Sequence, residues 1–539
     1  MANQKWRLNL MQSSFPLLSG NMGRSITIPG ADQTQAGSGG NEEAIERLRA
    51  VGYPGVYYCH NVMPTSQGYS SLSYTNKIAA AASTAFDAVH LLRDASENRI
   101  WFAGVPSYNW FLGGTNAAWA SKASSAPATG LVTKAYIRKR TFVFFEGYGC
   151  YEYTASTDTF AAVTLTGLTV ANINGICAAK NYLIAWDDNY IYWSMPNTET
   201  NFSGTGSGSG ALSEARGLIT TCLPIPDGFI AYTTANAVAG IFTGNGTYPF
   251  LYKEIEGSAG VLSPEHVAYE SNVAGHFAWT TGGLMEINKT TAHVIFPEVS
   301  DFLSGKHLET YSAGTLSTVK LDNALRIKLT LIGSRYLVIS YGNGGLQFAL
   351  IYDIKYKRWG KLAKTHVDVI EYTDPSPYSY VQYQQLVGTY TAQTSTYAGF
   401  SSSAVTVGVP NGAIGFIENS GKIDTVNLDD TGVSGNDSVL LFGKIQFVRN
   451  RQFSFLGMEL ENQKLTAAGV GTVAVDVLTS YTGKKQHDLT TTLSPVSGTE
   501  NDESVSYATR LTGEWHSLRI TGGFNLNTIT VLGHAAGRR

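Results

Sequence analysis

The chain has 539 residues, of which 43% are hydrophobic, 15% charged and 12% aromatic, with a formal net charge of −3. So few charges beside so much apolar material exclude a disordered chain. The near-neutral balance also excludes a protein that grips nucleic acid through a uniformly basic surface.

The 57 glycines and 30 tyrosines, with little Lys or Glu for long helices, point to an all-β fold. At the start, Met1 to Arg7 lack the apolar stretch of a secretory signal, and no run approaches the length of a membrane-spanning helix. Residues 1–85 read as a small mixed region. A glycine-rich loop at 30–40 precedes one helix at 42–49, EEAIERLR, with Asn41 as its cap and Gly52 as its stop. Acids lead that helix and arginines end it, as the helix dipole favours.

From residue 86 the pattern changes to short apolar runs, each ending in a turn and followed by a second run. Phe102, Val143, Ile184, Ala231, Ala278, Ile339 and Phe416 mark equivalent places, at intervals of 41, 41, 47, 47, 61 and 77 residues. A period in the forties of buried strand, tight turn and second strand predicts β-propeller blades over residues 86–435. The wholly apolar runs are expected to be the innermost blade strands, covered on both faces. The two long intervals predict insertions or a further blade. A stack of β-sandwich domains would give similar hairpins and stays open at this point. Residues 436–539 alternate between apolar and polar with turn clusters, which predicts a separate C-terminal β-sandwich-like domain.

Charge is unevenly spread along the chain. Residues 1–140 hold 13 basic and 7 acidic side chains, residues 141–309 hold 5 and 16, and residues 310–539 hold 20 and 18. An acidic middle would repel a polyanion.

Chemistry-bearing motifs are scarce. The sequence has no phosphate-cradling GxxxxGK[ST], no GxSxG nucleophile elbow and no HExxH, so it suggests no cofactor, metal or catalytic residue. The four cysteines, Cys59, Cys150, Cys177 and Cys222, include no CxxC pair and read as free, buried thiols. Asp187-Asp188-Asn189 is the sharpest acidic cluster. Two adjacent carboxylates suit a cation or acid–base pair, but Asp and Asn are also preferred turn residues.

Three stretches together carry a resemblance. The first is Phe15-Pro16-Leu17-Leu18-Ser19-Gly20-Asn21 followed by Cys59-His60-Asn61-Val62-Met63-Pro64. The second is the hairpin Leu183-Ile184-Ala185-Trp186-Asp187-Asp188-Asn189-Tyr190-Ile191-Tyr192-Trp193. The third is Glu514-Trp515-His516-Ser517-Leu518-Arg519-Ile520 with the terminal Gly537-Arg538-Arg539. Along nearly its whole length the chain resembles the nozzle proteins of short-tailed bacteriophages, the tail tubular protein B and packaged-DNA-stabilisation group. That resemblance implies a non-enzymatic virion tail protein, made in the host bacterial cytoplasm, whose six copies form a ring and whose C-terminal domain is joined to its N-terminal segment. Its implied partners are a head-to-tail adaptor and tail fibres or a needle, with double-stranded DNA passing through the ring without specific binding. A conduit for DNA is expected to avoid a cationic lumen, because each phosphate contact adds affinity. Asp187, Asp188, Glu254 and Glu256 are the channel-lining candidates. The alternative function is a carbohydrate-binding or glycoside-hydrolysing β-propeller.

Overall fold

The computed structural model describes residues 4–9, 26–27, 56–65, 68–78, 86, 88–93, 99–104, 109–113, 120–123, 132–154, 159–269, 275–303, 308–312, 315–319, 325–372, 413–427, 438–442, 445–446, 452–462, 473–478, 488–493, 501–513 and 516–536. The helix expected at 42–49 and the glycine-rich loop before it lie outside these residues.

Blade 3 shows how the sequence makes the repeating unit. Gly175–Ala179, Tyr182–Trp186, Tyr190–Trp193 and Gly208–Ala211 pair antiparallel in chain order. The second strand is buried at every position. Side chains alternate across a strand, so Leu183 and Ala185 pack with Phe142 and Phe144 of the preceding blade. Tyr182, Ile184 and Trp186 pack with Ile219, Phe229 and Ala231 of the following one. Both faces are dry, which is why the run is apolar throughout. Glycines make room for the largest rings: a Cβ at Gly175 would lie 2.4 Å from the Trp186 ring, and one at Gly208 2.7 Å from the Trp193 ring.

The same meander recurs around a ring. Blade 1 begins at Ala88–Arg93, blade 2 at Val132–Ile137, blade 4 at Ile219–Ile225 and blade 5 at Val267–Ala268. Blade 6 comprises Leu325–Ile332, Tyr336–Asn343, Leu346–Asp353 and Arg358–His366. Blade 7 comprises Asp368–Tyr372, Ala413–Ile417 and Ile423–Asn427, and takes its outer strand, Ser73–Ile78, from the N-terminal region. Six four-stranded sheets and the blade 6 meander thus make seven blades among the described residues. First strands touch from blade 2 to blade 4 and from blade 5 to blade 7, the second strand of blade 2 meets the first strand of blade 1, and blade 7 closes on blade 1. The fold is all-β and includes a β-propeller.

Two expectations change in detail. All seven sequence marks fall on the second strand of a blade, not the innermost one. The innermost strand borders the central cavity, so it alternates between buried and half-buried, as Val132–Ile137 does. The second strand has bonded neighbours on both edges and packed blades on both faces. The interval of 61 residues comes from an insertion between blades 5 and 6. It contains the helix Pro297–Leu303 and the hairpin Leu308–Ser312/Thr315–Val319. The interval of 77 spans residues 373–412, between the first two strands of blade 7 and outside the described residues.

The outer strand of blade 6 continues into a second body. Lys361 pairs with Val62, and the sheet runs on through Val62–Pro64, Tyr69–Ser71, Asn525–Ala536, Gln452–Asn462 and Asn501–Gly513. Gln4–Asn9 also pairs with Asn525–Ala536. A five-stranded sheet, Val56–His60, Val439–Phe442, Ser517–Thr521, Val473–Leu478 and Asp488–Leu493, packs against it. Leu440, Phe442, Val475, Leu518 and Ile520 meet Phe455, Leu526, Ile529 and Val531 between the sheets. The same cluster includes Tyr352 and Trp359 of blade 6, so propeller and sandwich share one core.

Candidate functional site

The first strands of all seven blades surround a cavity of about 500 Å3. Each strand contributes only one to five residues, so the lining is assembled from across the chain. Blade 1 gives His90, blade 2 Lys134, blade 3 Ala178 with Lys180 just beyond it, blade 4 Pro224 and Ile225, and blade 5 Ala268. Blade 6 adds Lys328, and blade 7 adds Asp368 and Glu371. In blades 3, 4 and 6 the lining comes from the C-terminal part of the first strand, in blade 1 from its N-terminal half and in blade 7 from most of its length.

Asp368 is the polar hub of this wall and is buried. One carboxylate oxygen accepts from the Val89 amide of blade 1 at 3.2 Å and lies 2.9 Å from Lys328 Nζ of blade 6. The other accepts from the Val369 amide. One side chain thereby links blades 6, 7 and 1 at the seam where the ring closes. Glu265, in the connection from blade 4 to blade 5, extends the chain of charges through its contact with Arg326 Nη2 at 2.6 Å. Burial would raise the Glu265 carboxyl, but Arg326 and Lys328 override it and hold the group below its usual range. Burial drives His90 well below the ordinary imidazole range, and the charges of Lys134 and Lys328 add to that. His90 is therefore neutral at pH 7 and offers no competing charge.

Two other buried histidines have fixed tautomers. His276 Nε2 lies 3.1 Å from the Pro224 carbonyl, which can only accept, so Nε2 carries the proton and Nδ1 accepts from Tyr232 Oη at 2.8 Å. His366 is the mirror case: Nδ1 donates to the Lys364 carbonyl at 2.6 Å and Nε2 accepts from Ser340 Oγ at 2.8 Å. Burial lowers both to about 4. These groups join neighbouring strands and blades and face no cavity chemistry. All four cysteines are free and buried, and burial pushes Cys59 and Cys150 up to about 12. Among the described residues no three His, Cys, Asp or Glu side chains are grouped to hold a metal ion. No helix among them is long and apolar enough to cross a membrane.

The four acidic candidates lie away from the central cavity. Asp187 serves its own turn: one carboxylate oxygen accepts from the amides of Asn189 and Tyr190, the other from Tyr192 Oη at 2.7 Å. Asp188 is exposed and accepts from Asn174 Nδ2 at 2.8 Å. Glu254 ends the outer strand of blade 4, where it pairs with Arg216 at 2.8 Å and receives Asn236 Nδ2 at 3.3 Å. Glu256 is exposed and its backbone bridges to Thr290 and Ala292 of blade 5. The structure keeps Asp187 and Asp188 together and places Glu254 and Glu256 on separate neighbours.

Sequence reasoning missed the cavity residues because they come in short groups from seven separate blades. A signal was nevertheless present: His90, Lys134, Ala178 and Pro224 follow one another at intervals of 44, 44 and 46 residues, the blade period again.

Of the stretches that carry the sequence resemblance, residues 59–64 and 516–520 lie at the joint between the two bodies, whereas the hairpin 183–193 belongs to blade 3. Cys59 pairs with Leu440, and Leu440 with Ile520, across three adjacent strands. Asn61 accepts from the Ala363 amide of blade 6 through its side chain and from Ser438 Oγ through its carbonyl. Arg519 forms a buried ion pair with Asp476 on the next strand.

The sheet order defines a β-propeller protein with a fused β-sandwich. No family model matches the chain, and no curated protein is similar to it at a significant level. Solved structures similar to it include a chain of BBS1N in complex with ARL6DN, soaked with lead. That chain is 9% identical with a TM-score of 0.37, over 66% of this chain and 95% of that one. Another is the WD40 β-propeller domain of Doa1, 8% identical with a TM-score of 0.38, over 67% of this chain and 98% of that one.

Proposed function

We propose that this chain is a structural virion component: a ring-shaped tail nozzle, built from six copies, that retains and conducts a phage genome during ejection. The observation that carries this reading is that the N-terminal and C-terminal stretches of the resemblance, around residues 59–61 and 518–520, lie together at one joint with blade 6 of the propeller. Asn61 accepts hydrogen bonds from Ala363, 302 residues away, and from Ser438, 377 residues away, within the strands that fuse propeller to sandwich. A protein that must transmit load between an adaptor above and fibres or a needle below benefits from such a shared core. In this reading the chain works through assembly and without chemistry of its own, and DNA passes without specific contacts. The exposed Asp188 and Glu256, with the half-buried Asp187 and Glu254, then supply negative charge toward the lumen.

Negative-stain electron microscopy beside mass photometry, over a range of protein concentrations and with the adaptor added, tests the reading. Annular particles with a mass near six subunits are expected. A monomer that stays monomeric with the adaptor would overturn it.

A further inference from the structure

We infer that the face of blades 2 to 5 on which second strands turn into third strands is a docking surface for a basic polypeptide segment that carries apolar side chains. In an antiparallel meander these turns and the blade-to-blade connections fall at the same end. Four large apolar side chains stand exposed there. Tyr148 at 54% and Tyr190 at 45% lie at the turns of blades 2 and 3, and Leu218 at 51% and Leu262 at 65% on the connections into blades 4 and 5. Singly exposed apolar side chains are ordinary, but several on one face mark an interaction surface. Backbone hydrogen bonds tie these positions together from Tyr190 to Leu262. The Ile219 amide donates to the Asp188 carbonyl at 2.9 Å, the Thr234 amide to the Leu218 carbonyl at 3.0 Å, and the Val261 amide to the Thr233 carbonyl at 2.9 Å.

The carboxylates on this face select what covers it. Glu146 stands exposed beside Tyr148, and Asp187, Asp188 and Glu214 accept hydrogen bonds from neutral groups only. None of the four meets a cation among the described residues. Arg216, on the connection into blade 4, is already held by Glu254 at 2.8 Å. Such a face repels a polyanion or an anionic lipid surface. A second copy laid face to face would set the same carboxylates against each other. A segment with Lys or Arg beside apolar side chains answers both the exposed rings and the negative charge.

Fluorescence anisotropy of the full chain with a short labelled peptide of alternating arginine and leucine, at low ionic strength, tests the inference. Saturable binding that weakens with added salt is expected. Replacing leucine by serine in the peptide, or Y190S/L262S in the protein, should each weaken binding at least tenfold, and E146K should weaken it several-fold. L251S, exposed on the outer strand of blade 4, should bind as the wild type does. The single L262S change serves if the double variant misfolds, and should also weaken binding several-fold. No saturable binding, or equal weakening by L251S, overturns the inference. Self-association of the wild type that Y190S/L262S abolishes overturns it too, because a second copy then covers the face. The outcome does not depend on ring formation, since a monomer can bind the probe.

Discussion

Blade 3 and blade 7 use the same four-stranded meander but are held in opposite ways. Blade 3 draws all its strands from residues 175–211, and its second strand is apolar at every position. Blade 7 recruits Ser73–Ile78 from more than three hundred residues away. Charged groups join the apolar core in securing it: Asp368 at the inner edge, and Asp424 between Lys364 and Lys422 near the outer one. The lesson is one of closure. A local hairpin loses little loop entropy before its contacts form, whereas the last blade must bring distant chain ends together. Directional polar links then fix which strand fills the gap.

The largest expected effect lies in the local blade. Trp186→Ala removes a fully buried ring at the seam of blades 3 and 4 and should cost about 3–5 kcal/mol, read by denaturant unfolding. Gly175 and its neighbours cannot collapse into that space without moving strands. Asp368→Ala should cost about 3 kcal/mol, because Lys328 and the Val89 amide lose their buried partner. Its signature is different: hydrogen exchange should rise first in blades 1 and 7, leaving blade 3 protected. Uniform exchange across all blades in that variant would erase the contrast drawn above.

Protonation gives the next effect. His276 and His366 have folded values lowered to about 4 from 6.5. Between those values the unfolded chain binds more protons, so stability falls as pH drops from 6.5 toward 4, by about 1.4 kcal/mol per pH unit for each histidine at most. Thermal unfolding from pH 7 to 4.5 checks this, and His276→Asn should flatten the slope. Asp424 acts at lower pH. Burial would raise it, but the ammonium groups of Lys364 and Lys422 hold it below 3.8. Its contribution is therefore present above that value and lost as pH falls through the lowered one, and Lys364→Met should reduce that acid-side dependence while Lys422 still holds part of it. The smallest effect belongs to Arg216→Ala. This pair with Glu254 is largely solvent-exposed and should change stability by less than about 1 kcal/mol.

How much of this was legible varied by element. The marks Phe102 to Phe416 located one strand in each of the seven blades, because strands dry on both faces must be apolar in sequence. Asp488–Leu493 and Asn501–Gly513 left no such trace. Their sequences, DLTTTL and NDESVSYATRLTG, are rich in polar residues, and they form the outer members of the two sandwich sheets. Ser73–Ile78, read as part of the N-terminal segment, is likewise a polar outer strand whose partner is chosen across the whole chain.

By itself the sequence determined the all-β class, the blade period, the Asp187 turn and the buried free cysteines, since each rests on contacts or patterns local to one stretch. Tertiary structure alone decided which strand closes the ring, where the insertions sit and how the sandwich shares its core with blade 6. It also decided that His90, Lys134, Lys328 and Asp368 face one another. Those outcomes depend on residues brought together from separate blades, and no short window of sequence contains two of them.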